Sequence, residues 1–307
     1  MVEQDILARI GPAVNSNKSF LIYGQPGNGK TALAEALFRV ESTPIYMPYA
    51  VESQGNIVQL YDPIYHQKID DEEYDSVAMN AGGGFDRRWF KCKRPFIITG
   101  GELGLDMLDL SYNGVSKVYD APFQLKANNG IYLIDDFGRQ KASPAEILNR
   151  WIVPMERHVD YLSFQAGGKM TVPFEAFLIF STNLRPDQLG DEAFLRRIPN
   201  KIKVDFANKE QFMKIFRREA EQVRGLPVQQ EVLDFLVNHL SEEIRVPLAH
   251  CYARDLLDQI FWAARYLHAK PEFTRDLAKW ACSNYFFSGL NKVATEKNGS
   301  DDRKSFA

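Results

Sequence analysis

No stretch of this 307-residue sequence approaches the ~18 consecutive apolar residues of a membrane-spanning helix, so no membrane span is expected. The opening residues, Met1-Val2-Glu3-Gln4-Asp5, hold no basic segment running into an apolar one, which argues against a leader. Cysteine is scarce. Cys92, Cys251 and Cys282 lie far apart without C-x-x-C spacing, which indicates neither a zinc site nor a disulfide framework and suits a reducing, cytoplasmic setting. The histidines His66, His158, His239, His250 and His268 have no metal-ligand spacing either. Basic residues are not in excess, with 37 Lys and Arg against 40 Asp and Glu, so a chain whose main task is coating nucleic acid is disfavoured. What remains, 45% hydrophobic and 25% charged, can bury a substantial core and fill two domains.

The most informative stretch is Gly24-Gln25-Pro26-Gly27-Asn28-Gly29-Lys30-Thr31, a G-x-x-x-x-G-K-T pattern. Before it runs Ser19-Phe20-Leu21-Ile22-Tyr23, apolar enough for a buried strand. After it come the helix formers of residues 31–38. A loop between strand and helix is the position in which glycines let successive backbone N–H groups point into one concavity, with the helix N-terminus adding partial positive charge. Such a cradle holds polyphosphate. Lys30 is placed to reach the β- and γ-phosphates and the Thr31 hydroxyl to ligate Mg²⁺.

A second apolar strand, Gly130-Ile131-Tyr132-Leu133-Ile134, runs into Asp135-Asp136. Strands at the centre of a parallel sheet are apolar on both faces, and ligands gather at their C-terminal ends. Asp135 is therefore placed to hold Mg²⁺, and Asp136 to orient or deprotonate an attacking water. Phe177-Leu178-Ile179-Phe180 repeats the arrangement and delivers Ser181-Thr182-Asn183, so that Asn183 can reach the γ-phosphate or the water. Arg196 and Arg197 sit together at the end of a short helix ahead of Pro199, and a last strand follows at 201–206.

Other elements are expected as follows. Residues 2–14 form an amphipathic helix, 43–47 a strand and 51–67 a helix. Residues 68–128 read as an insertion with hairpins. Ser143-Pro144-Ala145-Glu146 is a capping box that starts a helix running to about His158, and alternation around Gly167-Gly168 makes 159–173 a hairpin. Four helices follow from Asn208, and the tail from 292 has little to bury.

Taken in this order, the motifs resemble the AAA+ ATPase family over roughly residues 1–290. The resemblance implies an α/β fold: a P-loop NTPase three-layer sandwich with a central, mainly parallel five-stranded sheet, followed by an all-α helical lid. It places the nucleotide-binding domain at 1–207, the lid at 208–291 and a disordered tail at 292–307. Gly24 to Thr31 matches Walker A and Ile131 to Asp136 matches Walker B. Gly24, Gln25, Pro26, Gly27, Asn28, Gly29, Lys30, Thr31 and Ala32 would then hold ATP or ADP, with Thr31 and Asp135 on Mg²⁺. Asp136 would serve as catalytic base, and Asn183 falls where sensor 1 sits. Arg197, or its neighbour Arg196, matches the arginine finger that reaches a neighbouring subunit, and Arg254 in Cys251-Tyr252-Ala253-Arg254-Asp255 matches sensor 2. The hairpin at 159–173 is similar to the pre-sensor-1 insertion of the subgroup with MoxR proteins, magnesium chelatase and bacterial enhancer-binding activators. One departure stands out: the family usually ends Walker B in Asp-Glu, and here the second carboxylate, Asp136, is a methylene shorter.

The implied function is an ATP hydrolase that forms a homo-oligomer, a hexameric ring in the family, and remodels or assembles a protein complex whose client is unknown. Two alternatives accompany it. One is a nucleic-acid motor or loader, not favoured, using Arg87, Arg88, Lys91, Lys93 and Arg94 around Trp89 and Phe90. The other is a slow-hydrolysing, ATP-gated scaffold, motivated by Asp136.

Overall fold

The apolar runs assemble into a five-stranded sheet whose strands are all parallel. The computed structural model describes residues 10–12, 14, 18–40, 43–69, 86–189 and 195–286. Along the chain come β1 (Phe20–Tyr23), α1 (Lys30–Val40), β2 (Ile45–Pro48), β3 (Ala50–Ser53), β4 (Asn56–Gln59), β5 (Trp89–Cys92) and β6 (Phe96–Thr99). Then follow β7 (Ser111–Asn113), β8 (Val118–Asp120), β9 (Ile131–Ile134), α2 (Pro144–Arg157), β10 (Val159–Ser163), β11 (Lys169–Pro173), β12 (Phe177–Thr182) and β13 (Asn200–Lys203). The central sheet has the order β13-β1-β12-β9-β6. Every residue of β9 and β12 is buried, as a sheet covered on both faces requires.

Helix α2 begins where its capping box dictates. The Ser143 amide donates to Glu146 Oε2 at 2.8 Å and the Glu146 amide to Ser143 Oγ at 3.3 Å, with Pro144 in the first turn. Ile147, Leu148 and Trp151 follow on its buried face. The Trp151 ring meets Tyr132, Phe174 and Phe180, which fixes the helix on the sheet. Beyond it, β10 and β11 pair as the expected hairpin, turning through Gly167 and Gly168 at φ 91° each.

Two expectations need correction, and a third is met in an unexpected place. Residues 51–67 are not a helix: β3 and β4 form a hairpin there, because Gln54 and Gly55 take φ of 53° and 77°, the paired positive angles of a two-residue hairpin turn. The strand at 43–47 exists as β2 but pairs antiparallel with β5, outside the central sheet. Conversely, Phe96–Thr99, within the supposed insertion, is β6 and supplies the edge of the central sheet beside β9. A four-residue apolar run carries no mark of its partner, so spacing alone could not separate these cases. The rest of 68–128 contributes β7 and β8, which join β3 and β4 in a second sheet. That sheet shares a small core with the β10–β11 hairpin through Val58, Tyr119, Leu162, Phe164 and Val172.

The chain divides into two compact units, one of Gln25–Gly29 with residues from Val204 onward, the other of the remainder up to Lys203. In the first, α3 (Lys209–Arg217), α4 (Gln230–Asn238), α5 (Cys251–Tyr266) and α6 (Arg275–Tyr285) enclose Phe212, Phe216, Leu233, Leu257 and Ile260. Most of 2–14, together with 70–85, 190–194 and the tail from 292, lies outside the described residues. Among the described residues, no helix is long and apolar enough to cross a membrane.

Candidate functional site

Parallel strands deliver their C-terminal ends to one edge, so Gly24 after β1, Asp135 after β9 and Asn183 after β12 emerge together. Backbone bonds tie these ends to one another. The Gly24 amide donates to the Thr182 carbonyl at 3.2 Å, the Phe137 amide to Ser181 at 2.7 Å and the Asp135 amide to Thr99 at 2.8 Å. In the loop, Gly27 and Gly29 have φ of 79° and 78°, which only glycine adopts readily. Gly27 has a second reason to lack a side chain: a Cβ there would lie 2.6 Å from Cys251 Sγ, and its carbonyl accepts the Cys251 amide at 2.8 Å. Gln25, Pro26 and Ala32 are exposed. Asn28 is 1% exposed, and neither its amide nitrogen nor its oxygen has a hydrogen-bond partner.

Helix α1 starts at Lys30, so the orphan N–H groups and positive end of the helix belong to the loop. The Lys30 ammonium donates to the Gly24 carbonyl at 3.0 Å and to Asn183 Oδ1 at 2.6 Å. Burial lowers its pKa, while Asp135 and Asp136 pull the other way. The Thr31 hydroxyl donates to Asp135 Oδ2 at 2.9 Å, and the Asn183 amide nitrogen donates to Asp136 Oδ1 at 3.0 Å. One ammonium, one hydroxyl, one amide and two carboxylates thus form a chain of three, Lys30–Asn183–Asp136, and a pair, Thr31–Asp135, at a single sheet edge. Asp136 sits at φ 49°, a left-handed conformation in which Asp and Asn are enriched.

Gln140 was not visible as a site residue. Its amide nitrogen donates to the Asp135 and Asp136 carbonyls at 2.9 and 3.2 Å, and its oxygen accepts from the Gly138 amide at 2.8 Å. It therefore holds the turn that aims both carboxylates. The available signal was an amide side chain soon after an Asp-Asp-Phe-Gly turn.

The remaining candidates lie elsewhere. Arg196 and Arg197 precede β13 and so stand at the opposite, N-terminal edge of the sheet, where Arg197 Nε donates to Glu156 Oε1 at 2.8 Å. In the other unit, Arg254 opens α5, 65% exposed, with Nε 3.2 Å from Asp255 Oδ1. The basic–aromatic patch is dispersed: Phe90 is buried with Met47 and Cys92, Arg88 pairs with Asp86, and Arg94 donates to the Asn129 carbonyl. Only Trp89 of its two rings is exposed.

A family model described as a domain of unknown function, DUF8689, matches residues 208–284. The sequence matches no curated protein. Among solved structures, NtrX from Brucella abortus is similar with a TM-score of 0.56 and 13% identity over 96% of this chain, which spans 58% of that one. Two point mutants of Thermotoga maritima RuvB give TM-scores of 0.50 and 0.51 at 13% and 12% identity, covering 91% and 92% of this chain and 69% of theirs. Identity this low speaks for architecture alone. The central sheet, its order and the helical region after it give this chain the fold of the AAA+ P-loop ATPases.

Proposed function

We propose that this chain binds ATP with Mg²⁺ and hydrolyses it, that a second copy completes the catalytic site, and that the cycle remodels or assembles a protein complex in the cytoplasm. The observation that carries this reading is the meeting of Lys30 with Asn183, 153 residues on, and of Thr31 with Asp135, 104 residues on. The donor set suits the ligand. A buried lysine, loop amides and a helix N-terminus match polyphosphate oxygens, while a hydroxyl and a carboxylate are the hard oxygen ligands that Mg²⁺ takes. Lys30 would bind the β- and γ-phosphates, and Thr31 and Asp135 would hold the ion, which neutralises charge on the phosphoryl oxygens. Asp136, aimed by Asn183 and Gln140, would take the proton of the attacking water. Arg254 keeps the nucleotide contact that the family resemblance implies, with 1–207 as nucleotide-binding domain and 208–291 as lid.

Oligomerisation is supported by the position of the arginines. Arg196 and Arg197 are separated from the phosphate end of their own sheet by the four-residue length of β1 and β13, about 13 Å at 3.3 Å per residue, so a transferring phosphoryl group they meet belongs to another copy. Remodelling is supported by Val115, 96% exposed at the tip of the β7–β8 turn, where Asn113 Oδ1 accepts from the Val115 and Ser116 amides at 3.0 and 3.2 Å. An apolar side chain presented on a braced tip suits contact with a protein client. A second reading, a slow-hydrolysing ATP-gated scaffold, draws on Asp136 alone. The dispersed basic patch gives the nucleic-acid alternative no comparable support.

The test is ATP binding followed by turnover against protein concentration. At ATP 100-fold above its dissociation constant, binding should stabilise the chain by about 2.7 kcal/mol, and Lys30→Ala should remove that gain. Turnover per subunit should rise with concentration and lose the rise in Arg197→Ala. An unchanged melting curve in saturating ATP and Mg²⁺ would overturn the reading.

A further inference from the structure

The proposal here rests on the ATPase reading and concerns a residue that reading does not use. At the N-terminal edge of the central sheet lies a cavity of about 330 Å³, with Lys18, Glu156, His158, Glu175, Arg196 and Arg197 among its lining. Ser19, just before β1, and Leu178, early in β12, also line it, which places it at the edge opposite Lys30 and Asn183. Helix α2 ends there. Its C-terminal dipole is negative, and Glu156 in its last turn adds a carboxylate, so both draw a guanidinium to this point. Arg197 answers with Nε 2.8 Å from Glu156 Oε1, its side chain 24% exposed and that of Glu156 51% exposed.

An ion pair this open to solvent contributes little to stability, so holding the fold together is a poor account of it. Its consequence for orientation is larger. Arginine carries its donors in a rigid plane, and fixing Nε fixes the plane in which the terminal nitrogens lie. A group that stabilises charge on a transferring phosphoryl group works only if it is oriented before the reaction. Arg196, beside it, is exposed and makes no ion pair among the described residues. We infer that Glu156 is a positioning residue that orients the Arg197 guanidinium toward the ATP of a second copy of this chain, and that Arg197 rather than Arg196 is the group so delivered.

The experiment uses the full chain. Phosphate release is measured across protein concentration with ATP as substrate, and ATP affinity is measured separately on dilute protein. Glu156→Ala should lower kcat of the concentrated protein about 10²-fold, the loss associated with a misplacement of about 1 Å, without changing KM or the dilute-state affinity. Glu156→Gln keeps an oxygen that accepts from Nε and should recover most of that loss. The double variant Glu156→Ala/Arg197→Ala should be no slower than Arg197→Ala, because the two act as one unit. Glu175→Ala removes the other carboxylate of the cavity and should keep the wild-type rise. Sedimentation should show each variant assembling as the wild type does.

A Glu156→Ala variant as fast as wild type, or faster, overturns the inference, as does a multiplicative loss in the double variant. A wild type that binds ATP and gains activity on concentration while ignoring Glu156 sinks only this proposal. A wild type that binds no ATP removes the ATPase reading itself, and the inference with it.

Discussion

Asp136→Glu is the substitution that asks most of the site. In the wild type, Asp136 Oδ1 lies 3.0 Å from the Asn183 amide nitrogen, and Asn183 Oδ1 lies 2.6 Å from the Lys30 ammonium, so the carboxylate is drawn back along a hydrogen-bonded chain. One added methylene advances the carboxylate by about 1.5 Å. Since a misplacement of about 1 Å can change a rate by ~10²-fold, close to 2.7 kcal/mol of barrier, kcat should rise by roughly 10- to 100-fold. A cost opposes it. Residue 136 sits at φ 49°, where a long side chain fits less well than Asp, so stability should fall by about 1–2 kcal/mol, or roughly 2–4 °C in Tm per kcal/mol. The assay is phosphate release at saturating ATP and at protein concentrations on the activity plateau, with ADP affinity and Tm measured on the same preparations. A Glu variant that folds, binds ADP as the wild type does and turns over no faster would refute the argument that carboxylate length limits the proposed turnover. Asp136→Asn supplies the opposite arm, because an amide cannot accept the proton, and should lose about 10²–10⁴-fold.

Three further outcomes follow from single contacts. Thr31→Val keeps the shape and loses the hydroxyl that donates to Asp135 at 2.9 Å. A hydrogen bond to a charged group contributes about 1.5–3 kcal/mol, so the Mg²⁺ requirement of ATP binding, followed by calorimetry, should shift roughly 10- to 100-fold upward; an unshifted requirement would separate Thr31 from the ion. Asn28→Leu replaces two buried, unpaired polar atoms by methyl groups on a side chain of the same branched connectivity. It should raise Tm of the ligand-free chain, by up to the ~1–3 kcal/mol that unsatisfied groups forfeit, and a lower Tm would mean that the amide has a partner. Arg150→Met strips Asp160, whose side chain is 2% exposed, of contacts at 2.7 and 3.2 Å. Left without its countercharge but still accepting from Gln124 Nε2 at 3.2 Å and the Tyr161 amide at 2.8 Å, the carboxylate should destabilise the chain by about 3 kcal/mol, the low end for a broken buried pair, read as the urea midpoint, whereas the Asp160→Leu/Arg150→Met pair should recover much of it.

The candidate site was legible to the extent that it depends on backbone shape. Gly27 and Gly29 had to be glycine to hold φ near 80°, and that demand is written in eight consecutive letters. Helix α2 was equally plain, because its start is a capping box of four neighbouring residues. What sequence could not show is partner choice. Phe96–Thr99 and Ile45–Pro48 are both short apolar runs, yet the first joins the central sheet through Ile131 and the second pairs with Trp89–Cys92 outside it. Gln54 misled for a local reason, since it takes a left-handed conformation without being a residue that advertises one. Gln140 and Glu156 were invisible for the same reason as β6, their roles arising only from what they touch: the carbonyls of Asp135 and Asp136, and Arg197 41 residues on.

Asp136 joins the two kinds of information. Sequence alone shows a carboxylate one methylene shorter than the family pattern, and from that fact slow hydrolysis and an altered water path are equally good accounts. The fold adds a constraint of a different origin. A residue at φ 49° whose carbonyl is pinned by Gln140 favours a short side chain that tolerates the left-handed region, and Asp is such a residue where Glu is not. The departure then reflects the geometry of the turn as much as the role proposed for the carboxylate. It follows that relaxing the turn should make the longer carboxylate acceptable: in a Gln140→Ala background, the Tm penalty of Asp136→Glu should shrink, and an undiminished penalty would show that the turn does not select the residue.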